Sequence, residues 1–498
     1  MGKLKKLAGD TAIYGGSSII GRMLNYLLVP YYTSIFLPGE YGIVTELYAL
    51  AAFLNVIYLY GLETAYFRFA NKHQDKEPIV YQSAVSAVLI SSISFSLLLI
   101  LFATNLVEAM NYPGKEYFVY WFAGILAIDA VLAIPFARLR YLGKAKYFAG
   151  AKLFNIILNI SLNLFFLSYC RGVFDAEFSQ EYKELISLVY NPAWGVEYVF
   201  ISNLVANAVL IPILWPMFRN YRLRMSKEMI KPMLRYGYPL LFAGLAYAVN
   251  DMLSRVAIKY WLPDNFYEGK SSLEALGIYG AVYKLSVLMT LGIQAFRYAA
   301  EPFFFSHAAD KNSPALFSKL MHWFIIAGCF VFIAISLNLD WLQYLLRNPV
   351  YREGVHVVPV LLMANLFLGI YYNLSIWYKL TDRTHFATWI TAGSALLTIV
   401  FNYIFIPIGG YEASALVTLG VYLLTAIISY VLGQKYYPVP YKIAKSLIYL
   451  IISSIVVYLV YPISLGSTWL DTGLHVLIMG LFLIWVYFAE RKDFKPAD

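Results

Sequence analysis

Three ionisable residues one helical turn apart, Asp251, Arg255 and Lys259, stand in "NDMLSRVAIKYWLP", a stretch otherwise suited to hydrocarbon. A charge at mid-membrane costs about 2.5–3.5 kcal/mol on insertion scales, so it marks a wetted cavity or an internal ion pair. Asp251 and Arg255 share a helix face and can compensate one another. Arg255 can equally offer its donor fork to a phosphate or carboxylate. Lys259, beside the terminal "YWLP", is expected to snorkel to the interface.

Other charges pose the same choice. Arg22 lies too deep in the first apolar stretch to snorkel easily, and either lines a cavity or pairs with an acid. Lys284 is expected at a depth similar to Arg255, where two cations repel unless an anion stands between them; Glu46 or an anionic substrate could serve. Asp129, mid-span without an evident cation, is either a satisfied buried aspartate or a carrier of a coupling proton or sodium ion, with Asp251 a further charge partner. Glu63 and Glu301 near cytoplasmic span ends suggest gating or plain interfacial carboxylates, with Arg297 one turn before Glu301 as its partner. Asn155, Asn159 and Asn163 form a stripe on one helix, either gluing helices together or lining a sugar path.

The elements that must position these residues are membrane helices. The chain has 498 residues, 60% hydrophobic and 13% charged, against roughly 25% charged in a soluble domain. About fourteen apolar stretches, each on the order of 20 residues, follow one another from Thr11 to Glu490. Lipid leaves no partner for unpaired backbone, so the chain reads as an all-α polytopic membrane protein. Most of the 38 Lys and Arg fall in alternate connections, including "KLKK", "RLRYLGKAK" and "RNYRLRMSKEMIK". That asymmetry puts both termini in the cytoplasm and accounts for the +9 net charge without nucleic acid. Anionic membrane lipid is the ordinary partner of such loops.

Residues 41–67 aligned with 279–305 give 8 identities in 27 positions, pairing Glu46 with Lys284, Tyr60 with Tyr298 and Glu63 with Glu301. Asn163 and Asn402 match at nearly the same offset. An even number of spans separates the copies, which predicts two parallel-repeat six-helix bundles, over 1–220 and 221–435. Residues 436–498 would then add two helices and a tail. "GKS" at 269–271 lacks the first glycine of a phosphate loop, because Asp264 stands there. Cys170 and Cys329 form no disulfide framework, the six histidines are scattered, and no cofactor or metal is expected. Hydrolytic and ATP-driven enzymes find no motif.

The stretches "DTAIYGGSSIIGRMLNYLLVPYYTSIF", "EYGIVTELYALAAFLNVIYLYGLETAYFRFA" and "LEALGIYGAVYKLSVLMTLGIQAFRYAAEPFFF" resemble the oligosaccharide flippases of the multidrug/oligosaccharidyl-lipid/polysaccharide (MOP) exporter superfamily. The resemblance implies two bundles around a central cavity. It also implies alternating access, by which a polyprenyl-pyrophosphate-linked oligosaccharide crosses the inner membrane for O antigen or capsule. A glycan polymerase or chain-length machinery would be a downstream partner. On this view Arg22, Arg255 and Lys284 bind the pyrophosphate. A multidrug antiporter of the same superfamily would favour a more acidic cavity, and a glycan polymerase or ligase a larger external loop.

Overall fold

The computed structural model describes residues 15–17, 19–175, 180–306 and 312–491; the side chains of 180, 181, 299, 301, 302, 305 and 306 are outside that description. Helices dominate and no strand occurs among the described residues. Eleven described helices are long and apolar enough to cross a membrane, which makes this a multi-pass membrane protein. One of the eleven, His385–Tyr436, joins two helices across non-helical Gly409 and Gly410. Glu197–Ile213, at the sixth expected span, is apolar but shorter. The first expected span falls on 11–36, which is described only in part.

The chain forms two compact units, Met1–Val256 and Ala257–Asp498. The boundary falls within the Lys227–Trp261 helix. The reason is packing: Met229, Ile230 and Met233 enter one core with Tyr58, Leu62, Tyr66 and Val80. Close approach also holds this helix in the first unit. Gly61 has φ +76, and a Cβ on Gly237 would stand 2.7 Å from the Tyr60 carbonyl oxygen.

In the second unit Ser272–Ser306, Ser313–Leu337, Pro349–Leu380 and His385–Tyr436 pack together, and Ile443–Val460 and Thr468–Glu490 lie on Ser313–Leu337. Buried Glu490 fixes that docking: Lys445 Nζ is 3.1 Å from it and His322 Nε2 3.1 Å, and Tyr449 donates to it at 3.1 Å. Outward-facing Ile451, Tyr458, Trp469 and Leu483 are exposed, as expected where lipid tails replace water.

Candidate functional site

A polar seam runs through the first unit, built on the Ala145–Leu164 helix. At its centre Asp129, from Tyr117–Tyr141, accepts a hydrogen bond from Asn207 Nδ2 at 2.9 Å. The same nitrogen reaches Asn203 Oδ1 at 3.1 Å, and Asn155 donates to Asn207 Oδ1 at 3.0 Å. An ionised carboxylate only accepts, so Asp129 dictates which way the Asn207 amide points. Lys152 sits one turn before Asn155, rests its ammonium 4.2 Å from the centre of the Phe136 ring, and is close enough for its charge to act on Asp129 and Glu63. Towards the C-terminal end of that helix, Asn163 donates to the Asn159 carbonyl at 2.8 Å and accepts from Tyr32 at 2.8 Å.

Asn155 and Asn163 thus bond to other helices, and the Asn155 amide also leads to the mid-span carboxylate through Asn207. Asn402, the repeat counterpart of Asn163, donates to the carbonyl four residues back at 2.8 Å and accepts a hydroxyl proton from Ser414 at 2.7 Å. The two copies share a bonding pattern as well as residues.

At the end carrying the basic connections, Glu63 pairs with Arg140. Beside that pair, Arg138 Nε lies 3.0 Å from Glu77 Oε1, and Tyr66 donates to Glu77 at 2.7 Å. The Arg138 guanidinium also lies over the Tyr81 ring at 4.1 Å. Buried Glu46 accepts from Tyr112. Arg255 is 3.5 Å from Asp251 Oδ1 and donates to the Asp251 carbonyl at 2.9 Å, the self-compensated pair that the spacing allows. Arg22 is exposed on its helix. In the second unit Lys284 is half-buried.

Two expectations need correction. Lys259 does not reach outward; it is buried, with its ammonium 5.2 Å from the centre of the Tyr260 ring. Asp129 does have a cation in range, Lys152. Arg297 places its guanidinium over Tyr372 at 4.0 Å, and the side chain of its expected partner Glu301 lies outside the described residues.

Sequence reading missed Lys152, Asn203, Asn207 and the Glu77–Arg138 pair. A signal for the first lay one turn before the asparagine stripe, and Asn203 and Asn207 are themselves one turn apart. Glu77 and Arg138 fall in connections that read as ordinary basic loops, where nothing in sequence distinguishes a buried ion pair.

Residues 7–308 match the model of a family described as polysaccharide biosynthesis protein. Among solved structures the chain is similar to the lipid II flippase MurJ in an inward closed conformation, with 12% identity, TM-score 0.70, and coverage of 97% of this chain and 99% of that one. It is also similar to an inward-facing multidrug resistance MATE family transporter of the MOP superfamily, with 14% identity, TM-score 0.61, and coverage of 83% and 93%. A MATE structure in the bent conformation aligns at 14% identity and TM-score 0.56, covering 89% and 96%. No curated protein matches by sequence. These likenesses establish a MOP-type fold.

Proposed function

The chain belongs to the polysaccharide biosynthesis protein family, and from that premise we propose that it is a flippase for a polyprenyl-pyrophosphate-linked oligosaccharide. In this reading the lipid-linked sugar passes from the cytoplasmic to the outer leaflet of the inner membrane by alternating access, supplying O antigen or capsule synthesis. No covalent step is involved. Family membership carries the proposal, and the near full-length likeness to a lipid II flippase supports it.

The residues divide by role. Arg22, Arg255 and Lys284 bind the pyrophosphate through charge-assisted hydrogen bonds, with Arg255 exchanging Asp251 for the ligand. Asp129 carries the coupling proton or sodium ion, as a mid-span carboxylate that holds one donor bond from Asn207. Glu63 and Arg140 form a gating pair at the cytoplasmic ends of their helices, and Arg297 and Glu301 take the corresponding part in the second unit. A glycan polymerase or chain-length machinery receives the product.

Deleting the protein is expected to leave lipid-linked glycan in the cytoplasmic leaflet, and the wild-type chain should clear it. An Arg255→Glu variant should insert and fold but fail to export. Normal surface glycan with that variant removes Arg255 from the site, and no accumulation after deletion removes the substrate. The MATE likeness favours a second reading, a drug antiporter. Raised drug sensitivity with unchanged surface glycan after deletion would select it.

A further inference from the structure

The two arms of His385–Tyr436 lie side by side beyond the Gly409–Gly410 break, and a groove of about 500 Å³ opens along them. That volume is within the range of small-molecule sites, about 300–1,000 Å³. Its walls include Trp389, Leu396, Leu397, Leu424, Ile428 and Leu432; Trp389 is 73% and Leu396 61% exposed. The two hydroxyls in the wall are turned back on their own helices: Ser394 donates to the Thr391 carbonyl at 2.9 Å and Thr425 to the Val421 carbonyl at 2.7 Å. An occupant therefore meets hydrocarbon.

Length and charge narrow the occupant further. From Phe386 to Leu397 the groove runs roughly 16 Å at 1.5 Å per residue, about half of a 30 Å hydrocarbon core. One leaflet's acyl chain fits that span, whereas a transmembrane helix would overrun it. At the mouth the Tyr436 ring carries two cations, the Arg383 guanidinium at 4.1 Å and the Lys435 ammonium at 5.6 Å. Phe386 and Trp377 brace the same ring at 5.3 and 5.6 Å. Arg383 and Lys435 are both exposed, and neither forms an ion pair among the described residues. Asp382, the adjacent carboxylate, stands exposed in a left-handed turn at φ 56.

We propose that this groove binds one anionic phospholipid of the cytoplasmic leaflet, with an acyl chain along Trp389, Leu396 and Leu424 and its phosphate between Arg383 and Lys435. Basic pockets between membrane helices at cytoplasmic depth recognise anionic headgroups on this principle. None of the residues assigned to transport above lines the groove.

Native mass spectrometry of the full-length purified chain, with phosphatidylglycerol or phosphatidylcholine added to the micelles, tests this. One phosphatidylglycerol per chain should survive desolvation and phosphatidylcholine should not. An Arg383→Gln/Lys435→Gln chain should bind phosphatidylglycerol roughly 30-fold more weakly, at about fivefold per cation. Lys435→Gln alone changes one exposed side chain and keeps the measurement interpretable if the double variant folds poorly. Leu424→Trp fills the groove without touching either cation and should also lower retention. Equal retention of both lipids, undiminished phosphatidylglycerol binding by the charge variants, or a second copy of the chain held in place of lipid would each overturn the assignment.

Discussion

Asn207 is the hub of the seam, and replacing it with leucine exposes what the seam does. The substitution keeps the volume but removes two donated bonds, to Asp129 at 2.9 Å and Asn203 at 3.1 Å, and one accepted from Asn155 at 3.0 Å. A hydrogen bond to a charged group is worth about 1.5–3 kcal/mol and a neutral one about 0.5–1.5. In membranes the average is nearer 0.6, because the unfolded chain also finds partners. Together these put the cost of Asn207→Leu at about 2–4 kcal/mol, dominated by the carboxylate left without its donor. Asn155→Leu should cost about 1 kcal/mol, and the double variant little more than Asn207→Leu alone, since Asn155 spends its amide on Asn207. Removing the carboxylate as well, in Asp129→Leu/Asn207→Leu, should recover most of the stability, because replacing both partners with apolar groups of similar shape is nearly neutral. Transport should stay lost in that chain if Asp129 carries the coupling ion. The assay is the folded fraction after graded heating in nanodiscs, with glycan export measured in parallel. A loss under 0.5 kcal/mol for Asn207→Leu, or full export by the stabilised double variant, would refute the reasoning.

Glu77→Gln should destabilise the first unit by about 3 kcal/mol, since it strands the Arg138 guanidinium, 20% exposed, in a largely buried position; thermal melts of the variant check this. Gly237→Ala should cost 1–3 kcal/mol or more, as its Cβ would meet the Tyr60 carbonyl oxygen, a backbone atom unable to move aside, and Gly237→Ser should be no better in the same melts. Glu490→Gln should loosen the last two helices from Ser313–Leu337 by about 2 kcal/mol, discounted because Lys445 is half exposed. Limited proteolysis in the 461–467 connection should accelerate; unchanged cleavage would show that apolar packing alone holds them.

Composition by itself determined the class of protein. A chain this apolar can satisfy its backbone in lipid only as helices, and the placement of Lys and Arg sets the expected orientation. Local spacing also determined the Asp251–Arg255 pair and the asparagine stripe, because four residues on a helix bring side chains together without help from the rest of the fold. Helix partners were decided elsewhere. That Asn155 meets Asn207 and through it Asp129, that Glu77 and Arg138 join beneath Tyr81, and that the helix at 227–261 packs with the first unit through Gly61 and Gly237 all depend on which helices lie side by side. Membrane helices expose similar apolar faces to lipid and to one another, so hydrophobic pattern carries little information about neighbours. Tertiary contact assigned Lys152 to Asp129 and buried Lys259, where sequence spacing alone had left the first residue unnoticed and pointed the second outward.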